Sequence, residues 1–95
     1  MRFSVIIRPN AEADLQDARK WYDDQRPGLG AELLDEIGLA VERLATDPEH
    51  RPIYYNGFRR LLTRRFPYKI FYRVEGDRVI VFRILHAKRD HRRLL

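Results

Sequence analysis

Residues 67–86 read Pro67-Tyr68-Lys69-Ile70-Phe71-Tyr72-Arg73-Val74-Glu75-Gly76-Asp77-Arg78-Val79-Ile80-Val81-Phe82-Arg83-Ile84-Leu85-His86. Two runs dense in β-branched and aromatic residues flank Gly76-Asp77, a two-residue loop of the kind that favours primed hairpin turns. A hairpin closed there sets Glu75 opposite Arg78, Val74 opposite Val79 and Tyr72 opposite Val81. Alternation then predicts one face of Ile70, Tyr72, Val74, Val79, Val81 and Leu85, a surface for helices to cover. The opposite face carries Phe71, Ile80, Phe82 and Ile84, more apolar area than a solvated face needs. The C-terminal tail or a partner is expected to cover some of it.

Working outward, Phe58 to Arg65 reads as an arginine-rich strand lying before this hairpin. At the other end, Arg2 to Arg8 alternates Phe3, Val5 and Ile7 against Arg2, Ser4 and Arg8, the signature of a half-buried strand. Pro9-Asn10 ends it, and Asn10 is the expected N-cap of a helix carrying Ala11, Leu15, Ala18 and Tyr22 at helical spacing. Trp21 and Tyr22 are expected at the core or its rim, and Tyr68 and Tyr72 as packing residues. Arg26-Pro27-Gly28 breaks the first helix. A second carries Leu29, Leu33, Ile37, Val41 and Leu44 in one stripe and stops at Asp47-Pro48. The short link makes the two an antiparallel hairpin. The order is β-α-α-β-β-β in a single domain over residues 1–95. It is an α+β fold with a mostly antiparallel sheet and the helical hairpin on one face. The pattern leaves the place of the first strand open.

The 95 residues are 44% hydrophobic and 35% charged, and no apolar stretch approaches the ~20 residues of a membrane span. Met1-Arg2-Phe3-Ser4 carries no export pattern, so a cytoplasmic protein is expected. The absence of cysteine excludes disulfides, thiol nucleophiles and cysteine metal sites. Charge is divided unevenly. Residues 1–50 hold 6 Lys/Arg against 11 Asp/Glu, a net of −5, whereas residues 51–95 hold 13 against 3, a net of +10. Such an asymmetry points to a basic surface facing an acidic partner, either nucleic acid or an acidic protein segment.

Few catalytic constellations can be drawn. Ser4 is the one serine, and no Ser-His-Asp set is available. Gly28-Leu29-Gly30 lacks a third glycine and follows a helix, so it fails as a dinucleotide loop. His86 and His91 around Asp90 lack a third anchor, so neither a metal nor any other cofactor is expected. What stands out is a basic set: Arg59, Arg60, Arg64, Arg65, Lys69, Arg73, Arg83, His86, Lys88, Arg89, His91, Arg92 and Arg93, interleaved with Tyr54, Tyr55, Phe58 and Tyr68. Guanidinium groups grip phosphate and carboxylate oxygens in bidentate fashion. Taken singly, the paired arginines also fit a charged edge strand that resists aggregation.

Several strings resemble the RelE/ParE toxin superfamily of bacterial toxin–antitoxin systems: Ala13-Asp14-Leu15, Arg59-Arg60, Arg65 to Val74 with its Phe66-Pro67-Tyr68 core, the Gly76-Asp77 turn, and Val81 to Asp90. The likeness spans nearly the whole chain and is closest to the ParE-like, plasmid-stabilisation branch. It implies one of two mechanisms. RelE-like members cut mRNA on the ribosome, and their basic catalytic positions fall at Arg60, Lys69 and Arg89. The tyrosine those enzymes use falls at Leu95, which can neither accept nor donate a proton. His86 and His91 titrate in the right range but do not match that position. ParE-like members poison DNA gyrase by binding, and this branch is the one the departure favours. A non-toxic nucleic-acid-binding remnant is the third reading. Expected target-binding residues are Arg59, Arg60, Arg64, Arg65, His86, Lys88, Arg89, Arg92 and Arg93. The resemblance implies a cognate antitoxin, with Phe71, Ile80, Phe82 and Ile84 as its expected contacts. A homodimer or a hetero-oligomer with the antitoxin is also open.

Overall fold

Proline and glycine set the element boundaries. The computed structural model describes residues 2–89 and 93–95. Its elements are β1 (Ser4–Ile7), α1 (Pro9–Gln25), α2 (Leu29–Thr46), β2 (Arg59–Leu62), β3 (Tyr68–Glu75) and β4 (Arg78–His86). Pro9 stands in the first helical turn, and Arg8 is extended at φ −74° and ψ 157°, the conformation a following proline demands. The cap therefore falls at Arg8, and the expectation of Asn10 is corrected: Asn10 already lies inside the helix. Gly28 takes φ +90° at the link, a left-handed value that lets α2 start at once. Gly30 then brings the helices together. Its N–H donates to Asp23 Oδ1 at 2.8 Å, and a Cβ there would lie 2.5 Å from the Arg19 carbonyl oxygen.

The sheet order is β1-β4-β3-β2. The β3–β4 and β2–β3 pairs are antiparallel, as expected, while β1 joins the far edge parallel to β4, with Val5 beside Val79 and Ile7 beside Val81. The sheet is therefore mixed. The hairpin register Glu75–Arg78, Val74–Val79 and Tyr72–Val81 matches the sequence reading. Gly76 has φ +63° and Asp77 has no positive φ, as in a turn with glycine at its first central position. β2 is shorter than expected because Thr63 turns the chain: its backbone N–H donates to the Tyr68 carbonyl at 2.9 Å. Its buried hydroxyl accepts from the Tyr68 N–H at 3.0 Å.

One register shift changes the faces. Tyr72 pairs with Val81 but Phe71 pairs with Arg83, so an extra residue, Phe82, bulges from β4. Beyond it the alternation reverses. Ile84 joins the core beneath the helices with Leu33, Ile37, Leu44, Ile70, Tyr72, Val79 and Val81. Leu85 joins Phe58 and Phe71 on the opposite face. The expected places of Ile84 and Leu85 are thus exchanged. Leu33, Ile37 and Leu44 are almost wholly buried, each worth ~1.5–3 kcal/mol of transfer energy. Val5, Ile7, Leu15, Val41 and Val74 pack partly buried around them. Among the described residues no helix is long and apolar enough to cross a membrane.

Candidate functional site

The arginines of the basic half divide by what holds them. Arg59 donates to the backbone carbonyls of Glu49 and Arg51, tying the segment after α2 to β2. Arg65 pairs with Glu32 of α2 at 2.7 Å, and Glu36 accepts the N–H groups of Arg65 and Phe66 at 3.2 and 2.9 Å. These two arginines serve the fold first. Arg64 is exposed.

On the sheet face away from the helices, aromatic rings replace carboxylates as the arginines' neighbours. The Arg60 guanidinium lies 3.7 Å from the Tyr54 ring centre. Arg73 lies 4.2 Å from the Phe58 centre and 5.4 Å from that of Phe82. Arg8 approaches Phe82 at 4.9 Å, and the Phe58 and Phe82 rings meet edge-on at 5.1 Å. Arg73 donates to the Asn56 carbonyl at 2.7 Å, while its Nε is buried with no hydrogen-bond partner. A guanidinium stacked by its face keeps N–H donors at its edges for anions.

This face already has cover. Tyr54, Phe82, Leu94 and Leu95 pack on Phe58, Phe71 and Leu85. Arg83 Nη1 donates to the Leu94 carbonyl at 3.3 Å. Phe71 and Ile84 are 0% and 1% exposed, so both are corrected as expected surface contacts: the chain's own tail and loop cover Phe71, and the bulge turns Ile84 into the core. Ile80 and Phe82 remain half-buried.

A second concavity, about 190 Å³, opens between α1 and the end of β4, lined by Asp14, Asp17, Trp21, Tyr68, His86 and Arg89 among others. Asp14 organises it. Its carboxylate accepts from Arg83 Nε at 2.7 Å, Arg83 Nη2 at 2.8 Å and the Ile84 N–H at 3.0 Å. Those bonds, the larger influence, hold the Arg83 pKa above its ordinary value against the opposing effect of burial. β1 ends beside Val81, so Asp14 satisfies a β4 edge donor that no strand reaches. Sequence reading named Asp14 only within the family-like string Ala13-Asp14-Leu15; its spacing to Ile84, far along the chain, carried no signal. Burial, then the neighbouring Tyr22, pushes the Tyr68 hydroxyl up to about 12, with Arg89 opposing. His86 meets Tyr68 edge-on at 5.4 Å, and its Nδ1 accepts the Lys88 N–H at 3.2 Å. Trp21 is 58% exposed, out on the cleft wall and not at the core rim expected.

Arg60 and Lys69 share the face away from the helices, by the pairing of Arg60 with Phe71 and of Leu62 with Lys69. Arg89 lines the cleft on the α1 side. Lys88, Arg89 and Arg93 are exposed. Asp90, His91 and Arg92 lie outside the described residues, and so do the expectations placed on them.

The βααβββ order with its mixed sheet is a build shared with small toxins of type II toxin–antitoxin systems. The family model described as the ParE toxin of the type II toxin–antitoxin system parDE matches residues 5–91, and the chain belongs to that family. It superposes on a chain of the chromosomal ParDE system from P. aeruginosa with a TM-score of 0.82. That match has 24% identity and covers 92% of this chain and 98% of the other. A chain of the toxin–antitoxin complex RelBE2 from Mycobacterium tuberculosis matches with a TM-score of 0.59 at 21% identity, over 90% and 99% of the two chains. At these identities the likenesses establish the shared fold. No curated protein matches the sequence significantly.

Proposed function

We propose that this ParE-family toxin acts by binding, inhibiting DNA gyrase in the cytoplasm without catalysis of its own, and that a cognate antitoxin neutralises it. One observation carries the reading against ribonuclease chemistry. The basic residues that a RelE-like mechanism would draw on stand apart, with Arg60 and Lys69 on one side of the sheet and Arg89 on the other. General acid–base work needs its groups within hydrogen-bond reach of one substrate atom set. Leu95, where those enzymes place a tyrosine, packs in the apolar cluster with Phe58 and Phe71. The exposed cations Lys88, Arg89 and Arg93 instead offer solvent-facing charge suited to an acidic surface. The toxin–antitoxin setting of both structural neighbours supports the antitoxin.

The test sets purified toxin against gyrase supercoiling and cleavage-complex assays, and in parallel against mRNA in a translating extract. Inhibited supercoiling with intact mRNA is expected. Ribosome-dependent mRNA cleavage would overturn the non-catalytic reading. Arg89→Ala should weaken inhibition while the thermal midpoint stays put, because an exposed side chain contributes no more than ~0.5 kcal/mol to stability.

A further inference from the structure

We propose that the sheet face away from the helices binds the phosphate backbone of duplex DNA, without regard to sequence, through Arg60, Lys69, Arg73 and Arg8. The choice of DNA over RNA rests on the gyrase reading above; the row of charge is argued from this chain. Six ion pairs form among the described residues, and none of them includes any of these four cations. The acids that could neutralise them lie mostly elsewhere, since nine of the fourteen Asp and Glu residues are on α1 and α2. The helical layer is therefore the acidic side of the domain, and the open sheet face keeps its positive charge for a partner.

Strand pairing fixes where the charges stand. Lys69 and Arg73 lie four residues apart on β3, and alternation puts both on the face that carries Phe71. Arg60 pairs with Phe71, midway between them. Cations therefore occupy three successive levels of the sheet at steps of ~7 Å, two residues of strand each. That step is close to the spacing of successive phosphates along one DNA strand. Arg8 extends the row past Phe82, lying 4.9 Å from the ring centre that Arg73 approaches at 5.4 Å.

The rings decide the mode of contact. Arg60 rests on Tyr54 at 3.7 Å and Arg73 on Phe58 at 4.2 Å, so both guanidinium planes are set before a ligand arrives and less rotamer freedom is lost on binding. Tyr54, Phe58 and Phe82 are thereby engaged, which disfavours the stacking of unpaired bases on them and favours a duplex over a single strand. What remains is contact with phosphate oxygens, which positions a nucleic acid and reads no sequence. Arg73 commits Nη2 to the Asn56 carbonyl and buries its Nε, so it contributes chiefly its charge. An acidic peptide, with carboxylates on flexible stems at irregular spacing, gains less from an evenly stepped row held by rings.

Fluorescence anisotropy of a labelled duplex of about 20 base pairs, titrated with the full chain between about 50 and 200 mM KCl, tests the proposal. Four phosphate contacts give a slope of about −3.6 for log K against log salt, a loss of roughly a hundredfold over that range. Two duplexes of unrelated sequence should bind alike. Arg8→Gln, Arg60→Gln and Lys69→Gln should each make the slope shallower by about 1, while Lys69→Arg should keep it whole. Arg43→Gln, which removes an exposed cation from α2 with the same change in net charge, should leave the slope as it is. Thermal melts establish that each variant is folded. Slopes unmoved by the three row variants, an equal loss on Arg43→Gln, or tighter binding of duplex RNA or poly-glutamate than of DNA would each overturn the proposal. Gyrase is absent from every readout, so failure to inhibit supercoiling and failure to hold DNA would show separately.

Discussion

Replacing Asp14 with alanine should destabilise the domain more than any change at the surface arginines. The carboxylate holds Arg83 by two hydrogen bonds and the Ile84 N–H by a third, with side chains only 19% (Arg83) and 10% (Asp14) exposed. Removing one partner of such a pair leaves a charge half-stranded, which costs ~3–5 kcal/mol when burial is complete. The residual exposure of Arg83 reduces this toward ~2–3 kcal/mol, and an unpaired Ile84 N–H restores ~1–2 kcal/mol. The expected total is ~3–5 kcal/mol, a large part of the 5–15 kcal/mol typical of a domain. Urea unfolding of wild type, Asp14→Ala, Arg83→Met and the double Asp14→Ala/Arg83→Met would measure it. The double variant should lose less than the sum of the singles, since apolar groups then replace both charges. A loss below ~1 kcal/mol for Asp14→Ala, or strict additivity in the cycle, would refute the idea that this pair closes the edge of β4.

Gly30→Ala should lower the thermal midpoint, because the new Cβ would meet the Arg19 backbone oxygen at 2.5 Å. Gly38→Ala in the same helix faces open space and should raise stability by ~0.5–1 kcal/mol; opposite signs in paired melts check both. Above pH ~10 the unfolded chain releases the Tyr68 proton that the folded chain keeps until about 12. Stability is therefore full below pH ~10 and falls by ~2–3 kcal/mol between there and pH ~12. Tyr68→Phe should flatten that slope in denaturant titrations, leaving the part due to Tyr72, which burial also raises.

The hairpin was legible because Gly76-Asp77 leaves one way to close it, and the β3 and β4 bounds followed. The helices were legible from the Leu33-Ile37-Leu44 stripe and the Pro27-Gly28 break. The bulge was not. Phe82, Ile84 and Leu85 are all apolar, so alternation carries no contrast with which to register an extra residue, and the faces of Ile84 and Leu85 came out reversed. The parallel docking of β1 depends on contacts between residues far apart in sequence, which local periodicity does not encode. At the site, a count of positive charges could not tell Arg59 and Arg65, committed to carbonyls and α2 carboxylates, from Arg60 and Arg73, resting on rings. The apolar residues of the open face were visible, but the Leu94-Leu95 cover over Phe71 was foreseen only as a possibility.

The parallel pairing of β1 with β4 also governs when this chain can become a toxin. Val5 and Val79 are neighbours in the sheet, and bringing them together closes about three quarters of the chain at an entropic cost of about 4 kcal/mol. No N-terminal portion contains the central strand on which β1 and β3 both rest. During synthesis, at roughly 5–20 residues per second, the helical hairpin and β2–β3 therefore emerge with their apolar faces uncovered. Folding completes only when β4 clears the ribosome. Activity should then arrive all at once with the last strand, and a nascent or prematurely terminated chain should be inert and protease-sensitive, not partly toxic.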